Sequence, residues 1–194
     1  NTGYVLGWNN LIYSTSNAGL NWLQLTERNG GGTANDKLCD HSFVNGNTGF
    51  VVGWNGLIKK TTNQGETWIT LPSVSISHNA SIEFVNSSTG FLGSSNAIYK
   101  STNGGNNWIV NDSTYFTSVS GIRFFNQTTG LYGLSNGAIY RTTDTGNNWI
   151  RVDSTLYYDF RGFEILNSTT GFAVGNTAYT SGKILKTTNA GLNW

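Results

Sequence analysis

Residues 61–68 of this chain read Thr-Thr-Asn-Gln-Gly-Glu-Thr-Trp, and this segment decides the fold because it recurs. Each copy has Ser or Thr, any residue, Asn or Asp, any residue, Gly, any residue, Asn or Thr, and Trp. The other four copies occupy 15–22, 101–108, 142–149 and 187–194. The closing tryptophans are 46, 40, 41 and 45 residues apart. Five matches at near-regular spacing indicate an internal structural repeat.

Each position of this motif has a physical role in a tight turn. The Asn or Asp side chain can accept hydrogen bonds from downstream backbone amides. The Gly can adopt positive φ without steric cost. The Trp can bury a large apolar area in the seam with a neighbouring repeat. We therefore expect a structural role for Asn17, Gly19, Trp22, Asn63, Gly65, Trp68, Asn103, Gly105, Trp108, Asp144, Gly146, Trp149, Asn189, Gly191 and Trp194.

A second motif precedes each of the last four copies. Residues 43–50 read Phe-Val-Asn-Gly-Asn-Thr-Gly-Phe, and similar segments occupy 84–91, 124–131 and 165–172. An apolar run, a polar turn ending in Gly and a second apolar run are typical of a β-hairpin. One repeat therefore holds four short strands. In the second repeat we place them at about 38–44, 50–54, 57–61 and 68–71.

A four-stranded antiparallel meander of this length is the blade of a β-propeller. We predict an all-β fold with about four and a half blades in one region, 1–194. The first blade lacks its first strand and the fifth ends where its last strand begins. We expect part of a larger propeller, and closure of a five-blade ring by roughly 20 further residues is the alternative. Open blade edges would allow self-assembly. The predicted blades are approximately 1–25 (partial), 37–71, 79–110, 119–151 and 160–194.

Composition excludes several classes of function. Charged residues make up 11% of the chain and the net charge is +1. So few charges give the protein a weak electrostatic field, which argues against nucleic-acid binding because that function needs clustered basic residues. The sequence has no apolar run of the length that spans a bilayer. The single cysteine, Cys39, rules out an internal disulfide, and we expect it to be a small buried residue.

The eight-residue motif resembles the Asp-box (BNR) repeat. Residues 171–175 followed by 183–194 look most like the Ycf48-like photosystem-assembly-factor subgroup, which also occurs in secreted bacterial proteins. The resemblance implies a propeller and a secreted or cell-surface, bacterial location. It favours a noncatalytic module that binds, or assembles with, a protein or glycan partner. A fragment of a sialidase-like or other glycoside hydrolase and an assembly chaperone remain alternatives.

The sequence leans away from an enzyme. The sialidase resemblance implies an Arg-Ile-Pro segment, but the only proline, Pro72, follows Leu71. We assign no catalytic residue, no cofactor and no metal site. His41 and His78 do not recur with Asp or Glu at metal-ligand spacing, and we expect both at the surface.

One candidate site lies on the predicted first strands of three blades. Glu83, Arg123 and Glu164 occupy the same position in successive repeats. Facing inward, they would line a channel and bind a polar ligand or ion, and the two carboxylates are also the residue type that a glycosidase uses. A solvated channel wall is the alternative. Arg141 lies beside a box, where we expect it to be solvated.

A second candidate surface lies on the face opposite the boxes, where aromatic residues cluster in loops. Exposed rings on one face suggest a stacking surface for a sugar or a protein, and coverage of blade seams is the alternative. The predicted loops 26–36 and 176–182 would reach the same face. The candidate residues are Trp8, Trp54, Tyr115, Phe116, Tyr157, Tyr158 and Arg161.

Overall fold

A computed structural model of the chain consists of β-strands with a single 3₁₀ turn, Trp54–Gly56, in the described part. The strands form five antiparallel sheets, which confirms the all-β prediction of propeller blades. The chain divides into two compact units, Asn1–Asn79 and Ala80–Trp194. The described residues are 2–25, 37–75, 78–114, 117–153, 158–177 and 181–194.

The first unit contains a three-stranded and a four-stranded meander, in the orders β1-β2-β3 and β4-β5-β6-β7. Each end of the strands in the second sheet lies within one residue of its predicted position. These strands are β1 (Gly3–Leu6), β2 (Ile12–Thr15), β3 (Leu23–Gln24), β4 (Leu38–Phe43), β5 (Gly49–Gly53), β6 (Ile58–Thr61) and β7 (Ile69–Thr70).

The second unit contains two four-stranded sheets and a three-stranded one, again each a simple meander. The strands are β8 (Asn79–Phe84), β9 (Gly90–Ser94), β10 (Ala97–Ser101), β11 (Ile109–Ser113), β12 (Val119–Phe124), β13 (Gly130–Leu134), β14 (Ile139–Thr142), β15 (Ile150–Asp153), β16 (Tyr158–Ile165), β17 (Gly171–Thr177) and β18 (Ser181–Thr187).

The second strand of each four-stranded sheet is its most buried element. All five residues of β5, β9 and β13 are buried. Strands covered on both faces need continuous apolar or small residues rather than an alternating pattern. In the second unit this burial forms clusters that include Phe91, Ile122 and Tyr132 in one case and Leu131 and Phe163 in the other. The cores therefore run between neighbouring sheets.

Two local expectations were wrong. The predicted loop 176–182 is mostly strand, because Asn176 pairs with Gly182 across the β17–β18 hairpin, and 178–180 lie outside the described residues. Cys39 is exposed rather than buried. It follows the buried Leu38 at a β-bulge, so the strand directs the leucine to the core and the cysteine outward. The predicted loop 26–36 lies outside the described residues.

Candidate functional sites

The Asp-box turn has the same hydrogen bonds in all five copies. In the fourth copy, the Thr142 hydroxyl donates to Asp144 Oδ1 at 2.8 Å and accepts from the Gly146 amide at 2.9 Å. Asp144 Oδ1 also accepts from the Asn148 amide at 2.9 Å. The other copies repeat all three bonds with Asn in place of Asp. The boxes are therefore structural turns.

The residue before the box Gly also adopts left-handed φ, although it is usually not Gly. In the fourth copy this residue is Thr145, with φ 58°, followed by Gly146 with φ 68°. The Thr145 amide donates to the carbonyl oxygen of Thr128, in the β12–β13 turn, at 2.9 Å. The same bond joins the two turns in the second, third and fifth sheets. Box and hairpin turn therefore lie together at one end of the strands in these four sheets, a link that the sequence did not predict.

Trp149 lies in a seam between the third and fourth sheets. Its ring packs edge-on against Phe91 of the third sheet and Phe124 of the fourth. Its indole N–H donates to Asn111 Oδ1 at 2.9 Å, and Asn111 Nδ2 donates to the Gly146 carbonyl at 2.9 Å. The other box tryptophans differ in exposure: Trp68 is buried, Trp108 and Trp194 are half-buried, and Trp22 is 44% exposed.

Basic side chains on the third strand of a sheet join the next sheet. Lys100 Nζ donates to the Thr145 carbonyl at 2.7 Å and to Asn147 Oδ1 at 2.9 Å. Arg141 Nε donates to the Ala190 carbonyl at 2.7 Å. The expectation that Arg141 is solvated was therefore wrong: the guanidinium is half-buried and clamps the following box.

The structure brings the three predicted channel residues to one cavity. Glu83, Arg123 and Glu164 lie near the ends of β8, β12 and β16, the first strands of three successive sheets, and all three line a cavity of about 410 Å³. Asn167 and Ser168 of the following turn complete the polar rim, whereas Ile165 and Leu166 add apolar surface.

Arg123 is fixed by contacts on its own side of this cavity. Its Nη1 donates to the Ile122 carbonyl at 2.7 Å and to Ser81 Oγ at 3.2 Å, and lies 3.9 Å from Glu83 Oε2. The Arg123 and Glu83 side chains are only 29% and 28% exposed, whereas Glu164 is exposed. The cavity thus presents two carboxylates and one guanidinium, a net negative charge.

Trp8 and Trp54 occupy equivalent turns in the first two sheets. Residues 7–12 read Gly-Trp-Asn-Asn-Leu-Ile and residues 53–58 read Gly-Trp-Asn-Gly-Leu-Ile. In both turns the two residues after Trp have left-handed φ, between 57° and 74°. The Trp carbonyl accepts from the Leu amide three residues on. These are the features of a tight two-residue hairpin loop, which fixes both tryptophan backbones.

The side chain of Lys37 lies between these two tryptophans. Its Nζ is 4.5 Å from the Trp8 ring centroid and 3.9 Å from that of Trp54. The Lys37 carbonyl accepts from the Trp54 amide at 3.0 Å. Trp8 is 69% exposed and Trp54 is 41% exposed. Sequence reasoning missed Lys37, although a basic residue directly before β4, the first strand of the second sheet, was a usable signal.

His78 and Cys39 lie beside Trp54. The His78 ring is in edge contact with Trp54 at 5.3 Å, and its Nε2 is 3.3 Å from Cys39 Sγ. Although Cys39 as a whole residue is exposed, its sulfur lies against the His78 ring, and desolvation there and, to a smaller degree, the Asp40 carboxylate raise the pKa of the thiol to about 11. Burial also lowers the pKa of His78. Both groups are therefore neutral near pH 7, and the thiol is not an activated nucleophile.

The remaining predicted face residues are only partly described. Arg161, which is exposed, forms an ion pair with Asp159 on the same strand, 2.5 Å apart. Tyr158 begins β16, whereas Tyr115, Phe116 and Tyr157 lie outside the described residues.

The two histidines are less exposed than expected. Both are half-buried. His41 lies in edge contact with Tyr4 and Phe43, at centroid distances of 6.2 and 6.3 Å. These three residues line a second cavity, of about 510 Å³, in the first unit.

Among the described residues, no group of three or more His, Cys, Asp or Glu side chains is placed to hold a metal ion. The same part of the chain contains no helix with the length and hydropathy needed to cross a membrane.

Solved structures similar to this chain include two YCF48 proteins. YCF48 bound to a D1 peptide is 22% identical, with a TM-score of 0.59 over 76% of this chain and 54% of that one. YCF48 from Cyanidioschyzon merolae is 14% identical, with a TM-score of 0.70 over 97% and 66% of the two chains. This chain thus spans less than two thirds of either relative. At such identities the likeness shows the fold alone.

A GH74 enzyme from Niastella koreensis is also similar, with 18% identity and a TM-score of 0.79 over 94% of this chain and 33% of the enzyme. Among curated proteins, no sequence matches. The sequence profile of photosynthesis system II assembly factor YCF48 matches residues 1–109. Because this match covers more than half of the 194 residues, the chain belongs to the photosynthesis system II assembly factor YCF48 family.

Proposed function

We propose that this chain is a noncatalytic binding module that takes up a segment of a partner protein at the cavity of Glu83, Arg123 and Glu164. The observation that carries the proposal is the charged lining of this cavity, with the Arg123 guanidinium 3.9 Å from Glu83 and the exposed Glu164 on the same wall. A peptide segment is supported by the relative that was solved with a D1 peptide.

The charge of the cavity selects the kind of segment. Two carboxylates face one guanidinium, so an incoming Lys or Arg side chain reduces the net charge, whereas an acidic side chain increases it. Arg123 is held by Ser81 Oγ and by a backbone carbonyl, so little conformational freedom is lost on binding. The preferred segment therefore carries a basic residue next to polar ones.

The chemistry of the cavity supports binding rather than turnover. Glu83 lies 3.9 Å from the Arg123 guanidinium, so one of the two carboxylates that a glycosidase would use already interacts within the chain. That the partner is a glycan remains a prediction from the sequence, and so does a secreted or cell-surface location. Neither prediction is part of the case for a peptide segment.

An array of short peptides, tested together with an array of glycans, decides between the partner classes. We expect binding to peptides that contain Lys or Arg, with loss of signal when these residues are replaced by Gln. Glu164→Gln and Glu83→Gln should weaken that binding. Glu66→Gln is the matched control, because Glu66 is an exposed glutamate in a box of the first unit.

Two results would refute the proposal. One is binding to glycans with no peptide retained. The other is peptide binding that the cavity variants leave as strong as it is in the Glu66→Gln control. Hydrolysis of a glycan that is lost in Glu83→Gln or Glu164→Gln would establish the hydrolase alternative instead.

A further inference from the structure

The turns of Trp8 and Trp54 form a second surface, separate from the charged cavity. The sequence Gly-Trp-Asn occurs only at these two positions of the chain. Gly53 is required at its position, because an added Cβ would lie 2.3 Å from the Lys37 carbonyl oxygen. At Gly56, where φ is +74°, an added Cβ would meet the Ser75 carbonyl oxygen at 1.8 Å. The backbone therefore holds Trp54 firmly while 41% of its surface faces solvent.

Lys37 gives this surface a positive charge. Its ammonium lies within cation–π distance of both rings. No ion pair joins Lys37 to a carboxylate within the described part of the chain. Ring contacts orient an ammonium but do not neutralise it, so the charge remains available to an anion from outside.

Two of the neighbouring side chains add no charge. His78 and Cys39 pack beside Trp54 and are neutral near pH 7. The Asp40 carboxylate and the Lys37 ammonium both act on the Cys39 thiol, with opposite effects on its pKa. The surface is thus a cation with an exposed indole on either side of it.

We propose that Trp8, Lys37 and Trp54 form a docking site for an acidic segment of a partner protein. A carboxylate of the segment pairs with Lys37, and its apolar neighbours lie on the exposed indole surfaces. Charge complementarity selects this occupant: the ammonium is preoriented by the rings, so an ion pair formed there loses less side-chain entropy than one with a mobile lysine. This site goes beyond the proposed function of the cavity and does not depend on it.

The test uses a capped pentapeptide in which Glu alternates with Leu, and a matched peptide with Gln for Glu. Tryptophan emission is followed during titration, and calorimetry gives the dissociation constant at low and high salt. We expect the acidic peptide to bind, and to bind more weakly as salt rises. Lys37→Gln should weaken binding about fivefold, a loss typical of one ion pair, whereas Lys37→Arg should retain it.

Trp8→Ala should also weaken binding, and the exposure of Trp8 means that folding should survive this change. Lys183→Gln is the charge-matched control, because Lys183 is an exposed lysine on β18. The proposal fails if the wild-type chain does not bind the acidic peptide, or if the Gln peptide binds equally well. It also fails if Lys37→Gln binds like the Lys183→Gln control. Binding of a heparin fragment in place of the peptide would overturn the assignment to a protein partner.

Discussion

Arg141 Nε donates a hydrogen bond to the backbone oxygen of Ala190, 2.7 Å away, and so joins the fourth sheet to the Asp-box turn of the fifth. Lys100 makes the equivalent bond from the third sheet to Thr145 of the fourth. The accepting residue is in each case the left-handed residue before the box Gly. The box turn therefore supports its own sheet and also offers a carbonyl acceptor to the preceding sheet.

Removing this clamp should destabilise the second unit. Arg141→Met keeps much of the apolar stem but removes the donor, and we expect a loss of about 1–2 kcal/mol in the free energy of unfolding. Lys186→Met is the matched control, because Lys186 has the same position in the fifth repeat and is exposed. Denaturant unfolding, followed by circular dichroism, measures both variants. Equal stability of the two would contradict the clamp.

Asp144, the only acidic residue at the third position of a box, should make stability depend on pH. Hydrogen bonds from the Asn148 side chain and backbone, and from Thr142, lower the pKa of Asp144 to about 2. Because the folded pKa lies below the unfolded value of about 3.9, this stabilisation is present above pH 4 and is lost as pH falls towards 2. Asp144→Asn keeps the turn bonds that the Asn boxes make but has no titrating group, so it should match the wild type at pH 7 and lose less stability than the wild type as pH falls towards 2. Thermal unfolding between pH 2 and 7 tests this, and parallel curves for the two proteins would rule it out.

The hydrogen bond to the indole of a box Trp should depend on one residue of the preceding sheet. Asn111, on the third sheet, accepts a hydrogen bond from the indole N–H of Trp149 on the fourth. The residue that corresponds to Asn111 in the next repeat, and so precedes Trp194, is Val152. The Trp194 N–H has no described acceptor. Asn111→Val should cost about 1–3 kcal/mol, because it leaves a buried donor unpaired. Val152→Asn should be tolerated far better, since it supplies the missing acceptor. The two unfolding free energies are compared directly, and a larger loss for Val152→Asn would contradict the seam geometry.

Cys39 should react slowly despite its exposure. With its pKa near 11, little of the thiol is ionised at pH 7, and only the thiolate is nucleophilic. The rate of alkylation by iodoacetamide should therefore rise steadily from pH 7 to pH 10. Asp40→Asn removes a carboxylate that raises this pKa and should shift the profile to lower pH. A rate that levels off below pH 8.5 would show that the thiol has an ordinary or lowered pKa.

The repeat architecture could be predicted because each turn is determined locally. The hydroxyl residue, the Asn or Asp and the Gly of a box are spaced so that they form hydrogen bonds within eight residues. The Trp at the end of each box gives the length of the repeat. The burial of Trp68 agrees with the expected packing of box tryptophans against a neighbouring repeat, because Trp68 joins a cluster with Ile12 of the first sheet. These are short-range signals, and one sequence contains five copies of them.

Contacts between repeats were harder to predict. Arg141 lies next to a turn, where polar side chains are usually solvated, yet it donates to the carbonyl of Ala190, 49 residues further along the chain. The place of Lys37 depends on two turns from different repeats, because its ammonium contacts the rings of both Trp8 and Trp54. Cys39 was assigned by residue type, whereas the bulge after Leu38 decides its orientation. The meeting of Glu83 with Arg123 was predictable, because equal repeat positions fall side by side.

The most direct test of the central claim is a double-mutant cycle across the charged cavity. The dissociation constant of a Lys-containing peptide selected on the array is measured for the wild-type chain and for Glu164→Gln, with and without replacement of the peptide Lys by Gln. If the cavity binds a basic segment, the two changes are coupled by about 0.5–1 kcal/mol, as for a partly exposed ion pair. Additive effects, with no coupling, would contradict the account.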